Sequence, residues 1–354
     1  MGDFLLGALI LLVSTNPPAA VSNYVADHVL PIAALATGSQ VDPNDPVERE
    51  FRQLLEADEA AEQEIERLVA DVPAPDPTRT PLPAAQREAI RQQLLKVINT
   101  QRERYEDFIR KHPRHVGARL AYGDHLSEHG EDHEVIEQLG VALELDPRNA
   151  VVWNNYAGYF GHVGPITNAF AAYERARELR PYEPLYHYNL GTVVFLYRVD
   201  AQEYYHCDET AVFERALELY REARRLAPRS FRYAFDYAQT FYGVKPVPAT
   251  TPEGRQAASD ELVERALRAW EEALAIANND TDREGIYLHF ARWQIKGRRW
   301  DQARASLARA TRPEHQAMKE RLERSLTFRE VEAANPPEVG TEFKLPKPGL
   351  LPQP

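Results

Sequence analysis

The stretch WNNYAGYFGHVGPITNAFAAYERARELRP, residues 153–181, places large and small side chains at helical intervals and ends on a proline. The large residues are Trp153, Tyr156, Phe160 and Tyr173, the small ones are Ala157, Ala169 and Ala176, and the closing proline is Pro181. Two antiparallel helices approach closely only where Ala or Gly stands at their crossing. Large side chains then fill the spaces between the small ones. The stretch therefore predicts a packed pair of antiparallel helices.

A 34-residue period extends from this stretch along the chain. Pro113, Pro147 and Pro181 follow one another at that interval, and each closes a helix-like run. Proline suits this position because it lacks the N–H that a continuing helix needs. A fixed period of this size is typical of stacked helix-pair repeats. Ala, Arg, Glu and Leu are abundant and favour helix, so the sequence predicts an all-α fold.

These residues resemble the tetratricopeptide repeat (TPR), whose pattern of large, small and proline positions fits the stretch when position 1 is Ala150. The same pattern begins again at Val116, at Pro184 and near Phe231, and a fifth copy follows. The resemblance covers about 84–312 and implies an α-solenoid of stacked antiparallel helix pairs, a TPR-like superhelix.

The rest of the chain is arranged around this repeat region. We predict a signal peptide or N-terminal anchor at 1–22, a mobile segment at 23–45, an acidic amphipathic helix at 46–70, a Pro-rich linker at 71–83, a TPR-like solenoid with a capping helix at 84–333 and a Pro-rich disordered tail at 334–354. Solenoids need a cap because the last repeat has no neighbour to cover its apolar face. Two insertions, at about 198–211 and 243–258, are predicted to form a second contact surface.

The resemblance also implies a concave groove that is lined by the first helix of each repeat. The family's groove positions, which we predict to bind a peptide, fall on Asp124, Asn154, Asn155, Tyr188, Asn189, Thr192, Phe235, Asp236, Gln239, His289 and Arg292. Amides can pair with a peptide backbone, and aromatic side chains give flat apolar contact at low entropy cost. Each of these residues could instead belong to a merely solvated inner face. For Asn155 and Asn189 we favour a binding role over a solvated inner face, because the two residues occupy the same position in adjacent repeats.

The N-terminal apolar run FLLGALILLV, residues 4–13, has the length of a signal-peptide core and is too short to span a bilayer. Small residues suited to cleavage follow it, up to Ser22, but no Lys or Arg precedes it. We therefore expect an exported protein, periplasmic, envelope-associated or secreted, with membrane association through this segment left open. The alternatives are a buried N-terminal helix and a cytoplasmic protein.

Charge and motifs narrow the classes of partner and of chemistry. Most of the net charge of −12 lies in residues 42–76, and the near-neutral remainder offers no basic face to nucleic acid. The single cysteine, Cys207, excludes an intramolecular disulfide and a CxxC motif. The sequence has no P-loop, no GxSxG and no GxGxxG at a strand-to-helix turn. We therefore expect a protein or peptide partner, no nucleic acid, no cofactor and no catalysis.

One motif supports an alternative. HLSEH, residues 125–129, matches the inverted zinc-protease pattern, in which His125 and His129 would share a metal and Glu128 would act as base. Leu126 is the buried position of this first helix, so we expect the histidines on a solvated helix face. A metal-dependent hydrolase or metal-binding protein is thus the alternative to a scaffold or adaptor. A third possibility is a structural oligomer assembled through the acidic amphipathic helix, which could equally dock on the solenoid.

Overall fold

The computed structural model describes residues 45–70, 72, 82–130 and 132–335 of the 354-residue chain. These residues form α-helices joined by turns, with one 3₁₀ turn and no strand among them. The predicted signal or anchor segment, nearly all of the mobile segment and the tail, and most of the linker lie outside the described residues. Export and membrane association therefore stay predictions. No helix within the described part is long and apolar enough to cross a membrane.

Contacts between Cα atoms divide the chain into two compact units, which meet in sequence at Pro228 and Arg229. The helices of unit 1 are α1 (Pro46–Ala70), α2 (Ala84–Lys111), α3 (Val116–Glu128), α4 (Asp132–Leu145), α5 (Ala150–Val163), α6 (Ile166–Leu179), α7 (Pro184–Leu196), α8 (Arg198–Tyr205) and α9 (Glu209–Leu226). Those of unit 2 are α10 (Phe231–Thr240), α11 (Pro252–Ala275), α12 (Asp280–Lys296), α13 (Trp300–Ala308) and α14 (Gln316–Ala334), with a 3₁₀ turn at Pro313–His315. The predicted all-α fold class is confirmed.

Unit 1 is a stack of antiparallel helix pairs. Helix α3 packs on α4, α5 on α6 and α7 on α9, while α4 and α6 also contact the first helix of the following pair. The helices approach closely where the sequence has small residues, since Ala157, Ala169 and Ala176 are fully buried. The approach is also close at Gly191, because a Cβ built there would lie 3.3 Å from the Cβ of Leu219. The helix pairs predicted from large and small residues are therefore confirmed.

Helices α1 and α2 precede the first repeat pair and pack on each other, and α2 packs on α3. Phe51 and Leu54 of α1 lie in the same apolar core as Tyr105 and Phe108 of α2. The apolar stripe of the acidic helix α1 therefore packs against the other helices of unit 1. Docking on the repeat region is one of the two arrangements that the sequence left open. Oligomerisation through this helix stays a prediction.

The first insertion contains a helix, α8, which ends at His206 in the left-handed conformation with φ 51°. Helix α8 contacts α6, α7 and α9. Its Ala201 is fully buried, and the ring centroid of Tyr204 lies 5.2 Å from that of Phe170 on α6. The insertion is therefore packed into unit 1 and contributes to its core.

Unit 2 has the same kind of architecture. Helix α10 packs on α11, α11 on α12 and α12 on α13, and α14 contacts both α12 and α13. Trp270 and Trp293 are among its fully buried side chains. Helix α14 ends the described chain and covers the last pair with Leu322 and Leu326, which are buried, while Phe328 is exposed to solvent. An amphipathic helix in this place covers apolar surface that a further repeat would otherwise cover.

Candidate functional site

Three of the predicted groove amides lie on two neighbouring first helices. Asn154 and Asn155 are on α5, and Asn189 is on α7. Asn189 donates a hydrogen bond from Nδ2 to Oδ1 of Asn154 at 2.9 Å. All three side chains are buried, which places this amide row between helices of the unit. The bond spans one repeat and joins equivalent helices of adjacent pairs.

Tyr188 and Thr192, also predicted for the groove, are buried beside this row on α7. The hydroxyl of Thr192 donates to the carbonyl oxygen of Tyr188 at 3.0 Å and accepts from the hydroxyl of Tyr220 on α9 at 3.0 Å. These bonds lie within unit 1, so Thr192 has a structural role whether or not it also contacts a ligand.

Asn155 differs from the other two amides. It is 2% exposed, and neither Nδ2 nor Oδ1 has a hydrogen-bond partner among the described residues. The period explains the difference, because Asn155 and Leu120 stand 34 residues before the bonded pair Asn189 and Asn154. Where the later repeat offers an amide acceptor, the earlier one has leucine. Oδ1 of Asn189 is also unpaired within this part of the chain, so the row retains one unused amide donor and two unused acceptors.

The α3 end of the site gathers four carboxylates from two helices. Asp124 and Glu128 lie on α3, and Asp58 and Glu62 lie on α1. Burial and then the charge of Glu128 raise the pKa of Asp124 to about 8. Burial and then Glu62 raise the pKa of Glu128 to about 7. Burial also raises the pKa of Glu62. The negative charge of each of these carboxylates raises the pKa of its neighbours.

Histidine side chains adjoin these carboxylates. The hydroxyl of Tyr105 donates to Oδ2 of Asp58 at 2.6 Å, and Nδ1 of His125 lies 3.5 Å from Oδ1 of Asp58. His125 is 6% exposed. The prediction that both histidines lie on a solvated helix face is therefore wrong for His125, since Asp58 of α1 and Tyr105 of α2 lie against it. The ring centroids of His125 and His129 lie 4.7 Å apart. Burial, followed by the neighbouring His125, lowers the pKa of His129 to about 4.

The metal alternative has no support in this geometry. In the part of the chain that the structure describes, no three His, Cys, Asp or Glu side chains are grouped so that they could hold a metal ion. This includes His125, Glu128 and His129 of the HxxEH motif. Cys207 is half-buried after α8 and packs against the apolar core of unit 1.

The remaining predicted groove residues lie in unit 2, with Phe235, Asp236 and Gln239 on α10 and His289 and Arg292 on α12. Asp236 is buried, Arg292 is exposed, and the other three are half-buried. The ring of Phe235 meets that of Trp270 edge-on, with centroids 5.2 Å apart. Their role in binding stays a prediction.

His289 is the centre of an aromatic cluster in unit 2. Its ring stacks on Trp270 with centroids 4.0 Å apart and an interplanar angle of 5°. Nδ1 of His289 lies 2.8 Å from the hydroxyl of Tyr242, and the guanidinium of Arg292 lies 4.3 Å from the centroid of the Tyr242 ring. Burial and then Arg292 lower the pKa of His289 to about 4, so the imidazole is neutral near pH 7 and can accept the tyrosine hydrogen.

Sequence reasoning missed several residues that shape the two sites, namely Asp58, Glu62 and Tyr105 in unit 1 and Tyr242 and Trp293 in unit 2. For Asp58 a signal existed, because it interrupts the apolar stripe of the acidic helix. A carboxylate within an apolar stripe costs free energy unless a polar group pairs with it. Here the hydroxyl of Tyr105 donates a hydrogen bond to Asp58. The other four carry no distinguishing pattern.

The fold defines a class, an all-α protein built of TPR-like helix pairs. The predicted resemblance to the tetratricopeptide repeat is confirmed by the helix pairs and their 34-residue period. No protein-family model and no curated protein matches the sequence.

Solved structures with a similar fold include PilF of Pseudomonas aeruginosa, at 17% identity and a TM-score of 0.42 over 79% of this chain and 99% of that one. PilW, a widely conserved type IV pilus biogenesis factor, has 15% identity and a TM-score of 0.40 over 65% of this chain and 88% of its own. A tetratricopeptide repeat protein from Parabacteroides merdae has 11% identity and a TM-score of 0.38 over 80% of this chain and 98% of its own. Likenesses this distant have no bearing on what the chain binds.

Proposed function

We propose that unit 1 is a non-catalytic binding module that holds an extended segment of a protein partner along α3, α5 and α7, and that the chain acts as a scaffold or adaptor. The observation that carries the proposal is Asn155, a buried amide whose donor and acceptor both lack a partner within the described residues. A buried polar group left unpaired costs about 1–3 kcal/mol. Buried unpaired polar groups are rare in native proteins. A ligand that forms hydrogen bonds with the Asn155 amide would explain why this position has an asparagine.

An extended peptide supplies the groups that these amides lack. Each peptide residue presents one N–H donor and one C=O acceptor, at intervals of about 3.3 Å. The amide of Asn155 can pair with both, and Oδ1 of Asn189 can accept from a further N–H. Trp153 and Tyr156, half-buried on α5 with ring centroids 6.3 Å apart, offer aromatic contact for its side chains. Recognition of the backbone tolerates many sequences.

Access to the amides requires a conformational step. Asn155 and Asn189 are both buried in the described conformation, so a peptide reaches them only after the residues over them move aside. Association that waits for such a step is slower than the roughly 10⁵–10⁷ M⁻¹s⁻¹ typical of preformed sites. We therefore propose that binding is limited by opening of the site.

The two insertions remain a proposed second contact surface. In the second, Val247 is 66% exposed between Pro246 and Pro248, which suits contact with an apolar partner. In the first, Tyr204 packs against the core of unit 1, which favours a structural brace. Deletion of residues 198–211 is therefore expected to destabilise unit 1 in addition to any effect on binding.

Peptide selection tests the proposal. The full-length chain is used to enrich peptides from a random phage-displayed library, and the Kd of an enriched peptide is measured by fluorescence anisotropy. We expect Asn155→Leu to weaken binding by about tenfold or more. Asn99→Leu, at an exposed position of α2, is the matched control and should bind like the wild type. Equal affinities for Asn155→Leu and wild type would refute the proposal, and so would a library from which nothing is enriched.

A further inference from the structure

An open groove of about 560 Å³ lies between α1 and α2 of unit 1. The apolar side chains that line it are Ala57, Ala60, Ala61 and Leu68 of α1 and Val97 of α2. Ala60 is exposed and the other four are half-buried, so this helix pair leaves apolar surface open to solvent. Small side chains let a further helix approach closely, and burial of the apolar surface favours its association. The groove therefore has the properties of a helix-packing surface.

The groove has a defined register, because its two helices are antiparallel. Nζ of Lys111, at the end of α2, donates to Oε1 of Glu50, near the start of α1, at 3.1 Å. Towards the other end of the pair, Ile65 of α1 shares an apolar cluster with Leu94 and Ile98 of α2. Residue 64 of α1 therefore stands level with residue 96 of α2.

Opposite charges lie on the two sides of the groove. Glu64 belongs to α1, and Lys96 and Arg104 belong to α2. Over its whole length α1 has eight acidic and three basic side chains, a net charge of −5, whereas α2 has four acidic and seven basic ones, a net charge of +3. Glu64 pairs with Arg67 within α1, but Lys96 has no acidic partner among the described residues. A surface that complements this groove therefore has the same two charges in exchanged places.

A second copy of the chain supplies that complement. When two copies meet groove to groove about a two-fold axis parallel to the helices, each helix keeps its direction and its axial level. Helix α1 of one copy then lies antiparallel to α2 of the other, so the acidic helix meets the basic helix twice. Glu64 of each copy faces Lys96 of the other at the same level, and the alanines of α1 pack against α2 of the other copy. The four helices form an antiparallel bundle.

We propose that the chain forms a homodimer through this groove, with α1 and α2 of two copies packed as a four-helix bundle and Glu64 of each copy paired with Lys96 of the other. The groove contains none of the three buried amides, so the inference goes beyond the proposed peptide binding and does not rest on it. A dimer has two peptide sites and can hold two segments of one partner, which raises the overall affinity without any new contact.

Charge exchange at this pair tests the proposal, with sedimentation velocity of the full-length protein over a range of concentrations. We expect the wild type to be a dimer that dissociates on dilution. Glu64→Lys and Lys96→Glu should each weaken self-association by about tenfold or more, because like charges then meet twice across the two-fold axis. A one-to-one mixture of the two variants should dimerise like the wild type, since the two introduced charges then face each other and the native pair is kept once.

The matched controls are Glu88→Lys and Arg87→Glu, which make the same changes of charge at exposed positions outside the groove. Both should dimerise like the wild type, and circular dichroism checks that every variant is folded. A wild type that stays monomeric at all concentrations would overturn the proposal. Self-association that neither groove variant weakens would do so too, and so would a mixture that associates no better than Glu64→Lys or Lys96→Glu alone.

Discussion

Replacing Asn155 by leucine should stabilise the protein while it weakens peptide binding. Leucine branches at Cγ as asparagine does, so it occupies similar space and removes two polar atoms that have no partner among the described residues. A buried unpaired polar group costs about 1–3 kcal/mol. We therefore expect the free energy of unfolding to rise by about 1–3 kcal/mol, measured by urea unfolding with far-UV circular dichroism.

The matched contrast is Asn154→Leu, one residue away on the same helix. This change removes the acceptor of the bond from Asn189 and leaves the Asn189 amide without a partner in the described chain. The free energy of unfolding should then fall by about 1–3 kcal/mol. If Asn155→Leu destabilises the protein as much as Asn154→Leu does, the amide of Asn155 is already satisfied and the reasoning that assigns it to a ligand is refuted.

Three further predictions concern other parts of the chain. Because the pKa of Asp124 is raised to about 8, the folded state keeps a proton that the unfolded chain loses near pH 4. The free energy of unfolding of the wild type should therefore fall as pH rises from about 4 to 8. Near pH 8.5, urea unfolding should give Asp124→Asn a free energy of unfolding higher than that of the wild type by on the order of 2–3 kcal/mol. Because the pKa of His289 is lowered to about 4, unit 2 should lose stability as pH falls from about 6.5 to 4, and His289→Phe, which can still stack on Trp270, should lose this dependence in thermal unfolding. Arg215→Met removes the guanidinium whose carbon lies 3.9 Å from the centroid of the Tyr205 ring, so it should cost about 1 kcal/mol and speed hydrogen exchange in α8.

The helix pairs could be predicted from the sequence because their cause is local and repeated. Small residues such as Ala157 and Ala176 recur at fixed spacing, and their burial at helix crossings follows from that spacing. Helix α8 was not predicted, because eight residues without an apolar stripe give no periodic signal. Its stability comes from packing, with Ala201 fully buried and Tyr204 against Phe170, and such contacts are not local in sequence.

The candidate site could be predicted only in part. The 34-residue period places Asn155 and Asn189 on first helices, but it does not show that one amide is bonded to Asn154 while the other is unpaired. The difference depends on the residue at the corresponding place in the preceding repeat, which is Asn154 for Asn189 and Leu120 for Asn155. His125 was expected at a solvated surface because the sequence does not show where α1 docks, and its burial depends on contacts with α1 and α2.

Backbone N-methylation of a selected peptide, one position at a time, tests the central claim most directly. Each methyl group removes one N–H donor and leaves the side chains unchanged, and Kd is measured against wild-type and Asn155→Leu protein. We predict that wild type loses about tenfold or more in affinity at one or two positions, and that one of these positions becomes insensitive in Asn155→Leu. Affinity that no methyl group changes, or the same sensitive positions in both proteins, would contradict the claim that Asn155 binds a peptide backbone.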